Sequence, residues 1–178
     1  MRDEALACLR TFLDSFAQWP DGDRREWANG LMELQDAHPE VHQLIAFPLR
    51  TELIAIFEKW AEGDEGAAAP CRWLGSITND HRWFGQALSR DPNDDRSRLL
   101  LAHGLVAETE QSCESLPTSF NGDLAETIGW LNEAEAVLAP IADTASGVVL
   151  VGEIANLRRG IDDWVRQQAA GASSDVSH

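Results

Sequence analysis

The chain has 178 residues, 30 acidic against 14 basic, giving a net charge of −16 and an isoelectric point of about 4.5. That balance argues against a nucleic-acid surface, which needs clustered Lys and Arg to displace phosphate counterions, and against an anionic membrane surface. No apolar run approaches the ~18–20 residues of a spanning helix; the longest uncharged stretches, such as 41–49 and 144–152, are about nine residues.

Hydrophobic residues at 44% and charged residues at 25% are ordinary globular values, so the chain is expected to fold rather than remain disordered. The length suits a single helical domain over residues 1–170, with 171–178 as a flexible tail of small and polar residues. Three widely spaced cysteines, Cys8, Cys71 and Cys113, form no CxxC pair. Met1-Arg2-Asp3-Glu4 lacks an apolar signal core, so a cytoplasmic location with free thiols is the expectation. The near-absence of Lys (Lys59 alone) beside 13 Arg suggests a bacterial coding sequence of high GC content.

Helical periodicity governs the chain from its start. Leu6, Leu9, Leu13 and Phe16 make one stripe, widened by Phe12, and predict a helix over 3–18 that Pro20 ends. Trp27, Leu31 and Leu34 predict a second over 23–37. Pro39 suits the first turn of a third. Pro48 interrupts that segment, and Leu49, Leu53, Ile56, Phe57 and Trp60 line a longer helix over 48–61. Residues 62–70, with two glycines and three acids, read as a solvated loop. Helices over 70–78 and 80–89 follow, then a break at Asp91-Pro92-Asn93-Asp94. Leu101, Leu105, Val106, Thr109 and Cys113 mark a helix over 95–115. Asp123 caps the next, reaching 139 before Pro140. Leu150, Ile154, Leu157, Ile161 and Trp164 give the last helix, 145–169, a heptad-like stripe. The β-branched cluster Val148-Val149-Leu150-Val151 passes into that stripe and reads as helix. The fold class is therefore all-α: seven or eight helices packed as antiparallel hairpins, solenoid-like or as an irregular bundle.

Over residues 83–94, Phe84, Ala87 and Pro92 fall where a large residue, a small one and a helix-stopping proline recur. This segment resembles the second helix of a tetratricopeptide repeat and its exit. The resemblance implies repeat-like helical hairpins and a peptide-binding role; no period of about 34 residues runs through the rest of the chain.

Four features bear on function. His38-Pro39-Glu40-Val41-His42 places two histidines four apart, a metal-ligand spacing, so His38 and His42 are candidate ligands of a metal-dependent helical enzyme, or else polar residues at an exposed helix start. Cys71 near a helix N-terminus is a candidate thiolate, whereas Cys8 and Cys113 sit on apolar faces and read as core. No Walker loop, GxGxxG or GxSxG elbow occurs, so no catalytic residue and no cofactor is assigned. Glu135 falls among Leu124, Ile128, Leu131 and Leu138 and reads as a buried acid, either perturbed or paired with Arg158 or Arg159.

The most informative feature is the charge distribution. Residues 99–157 contain nine acids and no Lys or Arg. Glu108, Glu126 and Glu133 are expected on one face, with Trp130 and Phe120 as aromatic anchors. The leading expectation is a non-catalytic interaction domain that binds a basic protein partner, in the manner of an immunity or inhibitor protein. The alternatives are the His38/His42 enzyme and a homodimer through the last helix.

Overall fold

The computed structural model describes the backbone of residues 2–38, 45 and 47–174. Among them are eight α-helices and no strand: α1 Arg2–Phe16, α2 Asp21–Ala37, α3 Leu49–Gly63, α4 Ala69–Thr78, α5 Arg82–Arg90, α6 Asp95–Cys113, α7 Leu124–Leu138 and α8 Ala145–Ser174. No described helix is long and apolar enough to cross a membrane. Where length alone suggests one domain, the chain packs as two compact units, Met1–Asp94 and Asp95–His178. Each carries a net charge of −8: 17 acids against 9 basic residues in the first, 13 against 5 in the second.

In the first unit the expected stripes converge on one core. Phe16 of α1, Ala28 and Met32 of α2, Leu53 and Phe57 of α3, Cys71 and Leu74 of α4 and Ala87 of α5 are all buried. Phe16 lies against Trp27 with ring centroids 4.8 Å apart, and Trp73 donates its indole N–H to Asn29 Oδ1 at 2.8 Å, tying α4 to α2. The antiparallel step from α4 to α5 is unusually close: a Cβ on Gly75 would stand 2.6 Å from the Phe84 ring. The residues that carried the repeat resemblance thus have definite packing roles. Phe84 and Ala87 are buried, and α5 stops at Arg90, ahead of Pro92. Arg90 closes the loop before α4 by donating to the carbonyls of Ala61 (3.1 Å), Ala67 (3.0 Å) and Asp64 (3.3 Å). These include orphan acceptors at the end of α3.

The second unit is a three-helix packing in which α6, α7 and α8 all touch one another. Two contacts fix the register of α6 on α7: the Asn121 N–H donates to Ser112 O at 2.9 Å, and Arg98 Nη1 to Val137 O at 3.0 Å. The pair is therefore antiparallel, with Leu105 roughly level with Leu131. Asp123 caps α7 as expected, its Oδ1 accepting the Glu126 N–H at 2.9 Å.

Several expectations are corrected. The buried arc of α7 is Thr127, Leu131, Ala134 and Leu138, not the larger Leu124 and Ile128. Small residues take the seam because close helix approach needs them, and the Thr127 hydroxyl satisfies itself on Asp123 O at 2.9 Å. On the α8 stripe, Leu150, Ile154 and Ile161 are almost fully buried in the unit's own core. The α8 backbone is helical through Ser174, so residues 171–174 of the expected tail continue the helix; residues 175–178 lie outside the described ones. Residues 39–44, with His42 and the start of the expected third helix, also lie outside them.

Candidate interaction surfaces

His38 does not open a helix. It ends α2, its backbone N–H donating to the carbonyls of Leu34 and Gln35, and it is exposed. No group of three candidate metal ligands forms among the described residues. Cys71 is fully buried and burial pushes its thiol up, against a weaker opposing pull from Arg90, so it is a core residue and not a thiolate. Burial also pushes Cys113 up. Cys8, read as core, is exposed.

Glu135 is not buried. With the α7 arc turned toward Thr127 and Ala134, it lies on the helix flank facing α8 and pairs with Arg158 at 3.0 Å, its side chain half exposed. Arg158 also donates to Asn132 Oδ1 at 3.0 Å. Of the two arginines named from sequence, Arg158 is the one that pairs with Glu135; the burial is not found.

The opposite flank of α7 is different. Glu126, Trp130 and Glu133 stand at positions i, i+4 and i+7, so they fall within about 60° of one another around the helix. Glu126 and Glu133 are exposed and Trp130 is half-buried between them. By the register of the α6–α7 pair, half-buried Glu108 is level with Glu126. Glu133 lies about 10 Å further along. None of these three carboxylates enters an ion pair among the described residues. Phe120 packs its ring on Trp164 with centroids 5.4 Å apart and is half-buried, so it closes the unit's own packing.

The basic side chains are deployed elsewhere. Arg50 donates to Ile77 O at 2.5 Å, Arg90 and Arg98 bind carbonyls, and Arg24, Arg72 and Arg158 hold Glu52, Asp94 and Glu135. These cations thus tie one element to another, while Glu108, Glu126 and Glu133 of the 99–157 stretch enter no ion pair among the described residues. This division of labour gives the α7 flank an uncompensated negative field. Position i+4/i+7 spacing made the Glu126–Trp130–Glu133 stripe findable in the sequence; the internal use of the arginines had no sequence signal. Comparisons with protein-family models, with curated proteins and with solved structures find no match to this chain.

Proposed function

We propose that this chain is a non-catalytic interaction protein that binds a basic protein partner through the acidic flank of α7, as an immunity or inhibitor protein would. The observation that carries the reading is the contrast between the two flanks of one helix: Glu135 is neutralised by Arg158, while Glu126 and Glu133 flank Trp130 without a counter-charge. An aromatic side chain framed by carboxylates matches an interface in which apolar contact supplies residence time and charge supplies encounter rate. Glu108 extends the same field along α6. The test is calorimetry with a partner recovered by co-purification. Binding to a basic protein that weakens with salt supports the reading; a salt-independent association counts against it.

A second reading, self-association, has one observation in its favour. Val148, Val149 and Val151 at the start of α8 are 57%, 59% and 41% exposed, beside a groove between α6 and α8 lined by Leu99, Leu100 and Val149. A mass by light scattering that rises with concentration would favour it.

A further inference from the structure

Between the end of α1 and the start of α2 lies an open groove of about 610 Å³, walled by Trp19, Pro20 and Trp27 and edged by Gln18, Asp23 and Glu26. Trp19 is 38% exposed, a large fraction for an indole. Its ring packs against Phe16 at 5.2 Å and Phe12 at 6.4 Å, both in edge-to-face geometry. The charges around it are sorted by the helix. Taking buried Ala28 and Met32 as the inward side of α2, Asp23 and Glu26 fall on the outward side and Arg24 and Arg25 on the inward one, while part-buried Trp27 lies on the flank between them, packed on Phe16. Arg24 is engaged there with Glu52 at 3.4 Å. Asp23 and Glu26 are exposed and enter no ion pair among the described residues.

We propose that this groove receives the guanidinium of an arginine side chain presented by the basic partner. The proposal rests on the partner reading above and adds to it a second contact point with its own chemistry. A guanidinium is flat, weakly hydrated and stacks on an indole face while donating in-plane to carboxylates. The molecule uses this chemistry internally: the Arg72 guanidinium sits 4.6 Å from the Trp73 ring centroid while Nη1 donates to both oxygens of Asp94 at 2.9 Å. The Trp19 groove offers the same pair of surfaces, indole and carboxylate, with no arginine among the described residues that line it. An ammonium lacks the flat face, and an uncharged apolar group would meet two carboxylates.

The experiment is an NMR titration of the full chain, following the Trp19 and Trp27 indole N–H signals. The probes are N-acetyl-arginine amide, N-acetyl-lysine amide and N-acetyl-citrulline amide, the last keeping arginine's shape without its charge. Expected is saturable binding of the arginine probe, at least about fivefold tighter than either other probe. Asp23→Asn/Glu26→Gln brings arginine down to the citrulline level, and Trp19→Phe weakens it about twofold. All three changes are at exposed positions, and circular dichroism checks that the fold is retained. Equal binding of arginine and citrulline, equal binding of arginine and lysine, or an unchanged double variant would overturn the assignment. Glu126→Gln/Glu133→Gln leaves this titration unaltered. Loss of partner binding at α7 and loss of arginine binding at Trp19 are therefore separate results.

Discussion

Arg72 on α4 donates through one nitrogen, Nη1, to both carboxylate oxygens of Asp94, each at 2.9 Å. Asp94 is the last residue of the first unit, and its side chain is only 5% exposed. A carboxylate so placed depends on its counter-charge. Arg72→Ala is expected to destabilise the first unit by about 2–3 kcal/mol, below the full cost of a deeply buried pair because Arg72 is itself partly solvated. Replacing both residues should cost less than the sum of the single changes. Chemical denaturation of the two single variants and the double variant measures that coupling.

Two glycines are required by packing. A Cβ at Gly75 meets the Phe84 ring, which fills the space between α4 and α5; Gly75→Ala should cost about 1–3 kcal/mol. At Gly147 the obstacle is backbone, Ile141 O at 2.1 Å, which moves less readily than a ring, so Gly147→Ala should cost at least as much. Gly129 has open space around its Cβ position and serves as the control: Gly129→Ala within α7 should stabilise by up to about 1 kcal/mol through helix propensity. Thermal melts of the three variants check the order.

The thiols should separate sharply. Cys8 is exposed, whereas Cys71 and Cys113 are shielded and pushed up by burial. A thiol-specific chromogenic reagent applied to native protein should give one fast equivalent and two slow ones, and Cys8→Ser should abolish the fast phase. Because the buried thiols titrate above their unfolded value of about 9.0, their contribution to stability is complete below that pH. It is lost as the pH rises through the folded values. Stability should therefore fall on the alkaline side, and less so in Cys71→Ala after allowing for its lost packing.

Asp80 begins α5. Its Oδ1 accepts the Arg82 N–H at 3.1 Å, and the Arg82 guanidinium at 2.7 Å holds the carboxyl below the usual value of 3.8. A depressed acid favours the fold above its unfolded pKa, and that contribution disappears as the pH falls through the folded one. The pair is solvated, so the effect on stability is small. Carboxyl NMR should place the Asp80 midpoint below 3.8, and Arg82→Ala should move it up toward that value.

Much of the fold was legible because its large apolar residues repeat at helical spacing and its breakers are proline and glycine. Phe16, Leu53, Phe57, Leu150 and Ile154 are buried as their periodicity requires. What escaped the sequence depends on contacts distant along the chain. The α7 arc turned toward Thr127 and Ala134 because a close neighbour rewards small residues, and that neighbour is invisible to a helical wheel. Glu135 moved outward with the same rotation, although its pairing with Arg158 was anticipated. The acidic stretch was plain in the sequence; the deployment of arginines onto carbonyls such as Ile77 and Val137 was not, since a carbonyl acceptor has no side-chain signature. The Trp19 groove escaped for a related reason: indoles at core spacing read as core, and only the packing shows one that is 38% exposed.

The most direct measurement compares the two flanks of α7. Calorimetry with the co-purified basic partner, at about 50 and 300 mM salt, is run on wild type, on Glu126→Gln/Glu133→Gln and on Glu135→Gln. The account predicts that the double variant loses at least about tenfold in affinity and much of the salt dependence, while Glu135→Gln, whose carboxylate already serves Arg158, binds within about twofold of wild type. Equal loss in both variants, or unchanged affinity in the double variant, would contradict it.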